Sequence, residues 1–266
     1  MDELQEKAKQ LLEAGTVQVV IGHAAGRGGR RPVFVRSPAQ AGKLVHDDGC
    51  WQNLATYLGK PEVRKLGRAA VVASPPVLRA MVQLGAERQL GNDEVMALAV
   101  VTGGPVRTLA TLAAIEGHLA SLPDEPPAAD RTELGRLAAM TVPERRAFWA
   151  EQLDRCVRCY ACRASCPMCY CERCTMECNR PQWVPVASHA LGNLEYHIVR
   201  AMHLAGRCVQ CGTCGKSCPL GIPVHLLTLF AERSVQQHFG QGGKASGKPV
   251  FAMSTFRPED SETFIR

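Results

Sequence analysis

The sequence predicts an α/β N-terminal domain with a mostly parallel sheet, followed by a mainly α-helical domain built to hold metal. Three features lead there. Short β-rich runs alternate with helical ones as far as about residue 120, the pattern of βαβ units. Twelve of the 13 cysteines then crowd between Cys156 and Cys218. The stretch that separates the two densest groups has helical periodicity and no β-rich run.

Taken in order, Leu4, Ala8, Leu11 and Leu12 recur on one helical face, and the helix stops near Gly15, where a glycine belongs just past a helix end. Strands are expected at 17–21, 32–35, 69–72 and 97–101, with helical stretches around 50–58 and 75–86. Gly22-His23-Ala24-Ala25-Gly26-Arg27-Gly28-Gly29-Arg30-Arg31 follows the first strand, lacks G-x-G-x-x-G, and leads into Pro32 and another extended run. It therefore reads as a mobile basic surface loop and not as a dinucleotide cradle. Residues 107–119 read as a helix, which completes a docking domain over 1–120.

Three prolines and two acids in 121–127 open a linker assigned to 121–140. Thr141 and Glu144 have the spacing of a capping box and should start a helix running to about Arg155. A metal-holding helical domain is assigned to 141–239, and the Gly- and Lys-rich segment 240–266 to a flexible tail.

With 266 residues, 46% hydrophobic and 21% charged, the chain has an ordinary globular composition. No apolar run is long enough to span a bilayer, and the acidic, polar start is unlike a secretory leader, so a cytoplasmic location is expected. An odd, clustered set of 13 cysteines argues for reduced thiolates on metal and against disulfides.

Cys156-x2-Cys159-x2-Cys162-x3-Cys166-Pro167 is repeated without change as Cys208-x2-Cys211-x2-Cys214-x3-Cys218-Pro219. Three cysteines at this spacing wrap three corners of a 4Fe–4S cubane, and the fourth lies too far along to close the same cube. Cluster 1 is therefore assigned to Cys156, Cys159, Cys162 and Cys218, and cluster 2 to Cys208, Cys211, Cys214 and Cys166. Zinc, the alternative, favours paired Cys-x2-Cys knuckles without the proline-terminated fourth ligand.

The fourth cysteine of the first motif and the first of the second are 42 positions apart, long for a compact bacterial ferredoxin. Most of the insert reads as one helix, Ser188 to Gly206, with Leu191, Leu194, Ile198 and Met202 as its apolar positions. Its histidines, His189, His197 and His203, read as packing or surface residues. This spacing resembles the all-helical ferredoxin domain of heterodisulfide reductases and related enzymes.

Cys169, Cys171 and Cys174 are candidates for a third cluster or a zinc ion, with Cys178 or Cys50 as the fourth ligand; some of them also suit plain burial. Residues 155–216 hold eight basic and three acidic side chains, most of the chain's net +6. Positive charge suits anionic clusters. Nucleic acid is a poor partner for this patch, because aromatic interleaving is sparse.

Together these stretches resemble the beta-subunit family of formate dehydrogenases and deazaflavin-linked hydrogenases, in its heterodisulfide reductase-associated branch. The resemblance is carried by Arg146-Ala147-Phe148-Trp149, the run from Cys156 through Cys171, Asn179-Arg180-Pro181-Gln182-Trp183, His203 to Cys208, and Cys50 to Leu58. It implies an electron-transfer subunit, itself non-catalytic, between a catalytic oxidoreductase subunit and a flavoprotein or heterodisulfide reductase-like partner. It also implies that Cys50, Cys169, Cys171 and Cys174 act as a set. Ala73-Ser74-Pro75-Pro76 and Thr102-Gly103-Gly104 stand where the family often has cysteines, which speaks against flavin chemistry in this subunit. Two alternatives stay open. One is a subunit that binds FAD in its N-terminal domain and oxidises a coenzyme. The other is a zinc-stabilised interaction protein.

Overall fold

The computed structural model describes residues 2–101, 103–122, 128–178 and 180–240. They form two compact units, one up to residue 122 and the other from 128. The tail beyond 240, the prolines of the expected linker, and Thr102 and Asn179 from the sequence comparison lie outside the described residues.

The first unit opens with α1 (Glu3–Glu13), capped by Asp2 and Gln5 in a capping box and released at Gly15, whose φ of +65° suits glycine. Five strands follow: β1 (Val19–Gly26), β2 (Gly29–Val35), β3 (Ala69–Ala73), β4 (Ala97–Ala99) and β5 (Arg107–Leu109). Helices α2 (Pro61–Arg64), α3 (Pro75–Ala86) and α4 (Leu112–Leu119) complete the unit.

The sheet is mixed, in the order β2-β1-β3-β4-β5, and corrects the expected mostly parallel one. The inner pairings β1–β3 and β3–β4 are parallel, while β1–β2 and β4–β5 are antiparallel. The first antiparallel pair comes from the run expected to be a mobile loop. Gly26 pairs with Gly29 across a two-residue turn, and Gly29 takes a φ of +122°. At Gly22 the strand runs so close to Leu44 that a β-carbon would collide with it. The basic glycine-rich stretch is thus a hairpin.

Strand β5 occupies the start of the stretch expected to be helical at 107–119; helix begins only after Thr111, whose hydroxyl caps it. Around 50–58 the only helical element is a 3-10 turn, Leu54–Tyr57. The core packs Leu4 and Ala8 of α1 against Val20, Ala70, Val72 and Leu98 of the sheet.

The second unit contains α5 (Ala128–Ala139), α6 (Val142–Asp154), α7 (Ala161–Ala164), α8 (Ala190–Leu204), α9 (Thr213–Lys216) and α10 (Val224–Phe239). Residues 128–139, within the expected linker, are therefore helical. Thr141 and Glu144 form a capping box: Glu144 accepts from the Thr141 amide at 2.8 Å, and the Thr141 hydroxyl accepts from the Glu144 amide at 3.4 Å.

Helix α8 packs against both α6 and α10, and the short helices α7 and α9 pack on one another. Gly215 lets α9 press onto α10, since a β-carbon there would strike the His225 ring. Leu137, Trp149, Leu153, Tyr196, Ile222 and Leu229 form the shared core. No helix among the described residues is long and apolar enough to cross a membrane.

Candidate metal centre

The two cysteine motifs adopt one backbone. In the first, Arg158 and Tyr160 take left-handed φ values of +56° and +57°; in the second, Gln210 and Gly212 take +57° and +67°. Each pair is followed by a single helical turn, α7 or α9. Such reversals turn successive amides into a concavity that favours anions. The Arg158 amide donates to Cys156 Sγ at 3.4 Å, and the Gln210 amide serves Cys208 in the same way. After the fourth cysteine both chains make the same turn, with the Cys169 amide on the Cys166 carbonyl and the Gly221 amide on the Cys218 carbonyl, each at 3.1 Å.

The thiols group across the motifs. Cys218 lies within electrostatic reach of Cys156, and Cys166 within reach of Cys214. One cavity is walled by Cys166 together with Cys208, Cys211 and Cys214, with about 20 Å³ of free space between them. Burial pushes the Cys162 and Cys214 thiols up to about 11, and neighbouring thiols add to the rise. Burial likewise holds Cys208 well above the usual thiol range. Packed this way, the sulfurs cannot ionise together without cationic compensation, which a metal centre supplies. Among the described residues no three or more His, Cys, Asp or Glu side chains close around a single-ion site. A cubane holds its thiolates at the corners of a cage and not about one point.

Two arginines are buried among these sulfurs, at 6% exposure for Arg158 and 5% for Arg200. Arg158 donates to the carbonyls of Gly192 (2.8 Å) and Pro185 (2.9 Å) and stacks its guanidinium over Tyr196. Arg200 donates to the Cys162 carbonyl at 3.0 Å and hydrogen-bonds the side chains of Cys214 and Cys169. The Nε of each is buried without a hydrogen-bond partner. A buried cation with an unsatisfied donor beside thiols fits an anionic sulfide cage. The basic excess is thus partly interior.

Helix α8 corrects the sequence reading more sharply. Of its expected apolar face, Leu191, Ile198 and Met202 are about half exposed or more, and only Leu194 packs against the core. Asn193, His197 and Arg200 are buried instead, at i, i+4 and i+7. Asn193 donates to the Cys156 carbonyl at 2.8 Å. His197 Nε2 lies 3.4 Å from Cys156 Sγ, and burial, with Arg200 and Arg158 nearby, pushes the ring down to about 3, so it is neutral near pH 7. The missed signal was this polar stripe on a helix joining two metal motifs.

The extra cysteines divide. Cys169, Cys171 and Cys174 share a second cavity, of about 200 Å³, with Arg200, His203 and Arg207. Arg163 fixes the loop that carries them, donating to the Cys171 carbonyl at 2.8 Å and pairing with Glu177 at 3.0 Å. Cys178 is exposed and does not line that cavity. Cys50 belongs to the first unit, where its Sγ lies 3.7 Å from the Val45 carbonyl, and burial raises its pKa.

No protein-family model matches the chain. Over 77 residues, however, it is 32% identical to the beta subunit of the F420-dependent formate dehydrogenase of Methanocaldococcus jannaschii, a match covering 29% of this chain and 20% of that relative.

Proposed function

We propose that the chain is an iron–sulfur electron-transfer subunit of an oxidoreductase complex. The observation that carries this reading is the cavity walled by Cys166 with Cys208, Cys211 and Cys214, one cysteine of the first motif among three of the second. The proximity of Cys218 to Cys156 supports the reciprocal set. Two 4Fe–4S clusters on these eight thiolates would each take or give one electron at a time. Cys169, Cys171 and Cys174, with Cys50 as the proposed fourth ligand, would hold a third cluster or a zinc ion. The similarity to a formate dehydrogenase beta subunit supports a catalytic oxidoreductase partner, and a flavoprotein or heterodisulfide reductase-like subunit is the proposed second partner.

Iron, sulfide, zinc and flavin analysis of anaerobically purified protein, with its absorption spectrum, tests the reading. About eight irons per chain without flavin support the two-cluster relay. About twelve add the third cluster. Zinc without iron refutes the relay.

A further inference from the structure

We infer that the site of Cys156, Cys159, Cys162 and Cys218 has the higher reduction potential of the two. The inference rests on the relay reading above and concerns how the chain's own residues make two near-identical backbones unequal. A cubane's potential responds to nearby charge, hydrogen bonds to sulfur and solvent exposure; here Arg158, His197 and exposure favour the first site, against one bond from Arg200 to a sulfur of the second.

Charge differs at equivalent positions. Arg158 and Gln210 occupy the same place between the first two cysteines of their motifs, with φ values of +56° and +57°. The first site therefore has a buried guanidinium where the second has a neutral amide. At the second site the acid Glu232, 1% exposed, lies within electrostatic reach of Cys208. Arg200 lends its charge to both sites, but it reaches a sulfur only at the second, bonding the Cys214 side chain where at the first it bonds the Cys162 carbonyl, and this contribution opposes the other two.

Hydrogen bonding to sulfur differs as well. Each motif has the amide-to-sulfur bond described above; in addition Cys156 Sγ has His197 Nε2 at 3.4 Å, and Cys214 has Arg200. A thiolate can only accept, so the ring nitrogen that faces it donates. That bond disperses charge from the sulfur and favours the more negative, reduced state.

Exposure follows the same order. Val157 is 59% exposed, and its counterpart Val209 is 3% exposed. Cys159 is exposed, and Cys211 is half-buried. Water stabilises the extra negative charge better at the first site. One electron moving from the second site to the first, with no proton or atom transferred, would then settle at the end open to solvent.

An anaerobic redox titration followed by electron paramagnetic resonance tests this, after iron and sulfide analysis has established that the clusters are present. Cys159→Ser and Cys211→Ser, each altering the signal of its own site, assign the steps. The first site should reduce at the higher potential, with a reduction constant at least about tenfold larger, about 59 mV for one electron. Arg158→Gln, which installs the second motif's own residue, should lower the upper step only. His197→Leu should do the same, and His197→Gln, which retains a donor, should restore part of the shift. Should Arg158→Gln lose iron, Gln210→Arg decides instead by raising the lower step. Equal potentials, a reversed order, or variants that move the wrong step would overturn the inference, whereas a wild-type protein without iron would overturn the relay reading itself.

Discussion

The hydroxyls of Ser165 and Ser217 lie 2.9 Å apart, each belonging to the residue just before the fourth cysteine of its motif. The two motifs thus meet at equivalent positions. Ser217 also reaches the Cys214 carbonyl of its own motif at 3.1 Å and the Ala161 carbonyl of the first motif at 3.4 Å, so the contact ties the end of the second cysteine loop to the short helix of the first. In the proposed crossed ligation this joint would bring each fourth cysteine to its neighbour's site.

Ser217→Ala should lower stability by about 1 kcal/mol, typical of a lost hydrogen bond. Because Ser165 is its partner, the double variant should cost less than the sum of the two singles. Denaturation of the three variants under anaerobic conditions measures this, and strict additivity would contradict a shared bond.

Crossed ligation has its own signature. Cys166→Ala should remove about half of the iron held by the two motifs, and the lost signal should be the one that Cys211→Ser perturbs. Cys218→Ala should remove the other. Cys178→Ala should leave the metal content unchanged, since that thiol is exposed and away from both cavities. Loss of the first-motif signal in Cys166→Ala would rule the crossing out.

Arg163 holds the loop bearing Cys171 through a carbonyl bond and the half-buried pair with Glu177. Arg163→Met should therefore empty the third site while sparing the two motif sites. Metal analysis that detects zinc and iron separately gives the result; a loss confined to the motif iron would count against it.

In the first unit, burial, with His46 nearby, pushes His23 from 6.5 down to about 4. The folded unit therefore binds fewer protons than the unfolded chain between those values, and stability falls as pH drops from about 6.5 to 4. The loss is on the order of 3 kcal/mol at the acid end. His23→Leu should flatten this dependence in denaturation curves of the full chain between pH 4 and 7, and an unchanged slope would refute the assignment.

Much of this architecture was legible in local sequence. The α1 stop at Gly15 and the Thr141–Glu144 box depend on a few neighbouring residues, so they were readable. So were the four principal β-rich runs, although β5 was missed because Arg107–Leu109 is mostly exposed and leads almost directly into the helix at Leu112. The hairpin was mistaken for a loop because Pro32 and clustered glycines look irregular until strand β1 supplies a partner.

By itself the sequence determined the repeated cysteine spacing, on which the proposed chemistry rests, because cysteine spacing along a loop is a covalent and local property. Which face of α8 turns inward was decided only by tertiary structure. Apolar periodicity pointed to Leu191, Leu194, Ile198 and Met202, yet of these only Leu194 packs against the core, while Asn193, His197 and Arg200 are buried beside Tyr196, Ala201 and Leu204. A core that contains thiols and carbonyls in need of donors rewards buried polar groups that can satisfy them. That need is set by neighbours as many as 41 positions away, Arg200 bonding the Cys162 carbonyl and His197 approaching Cys156.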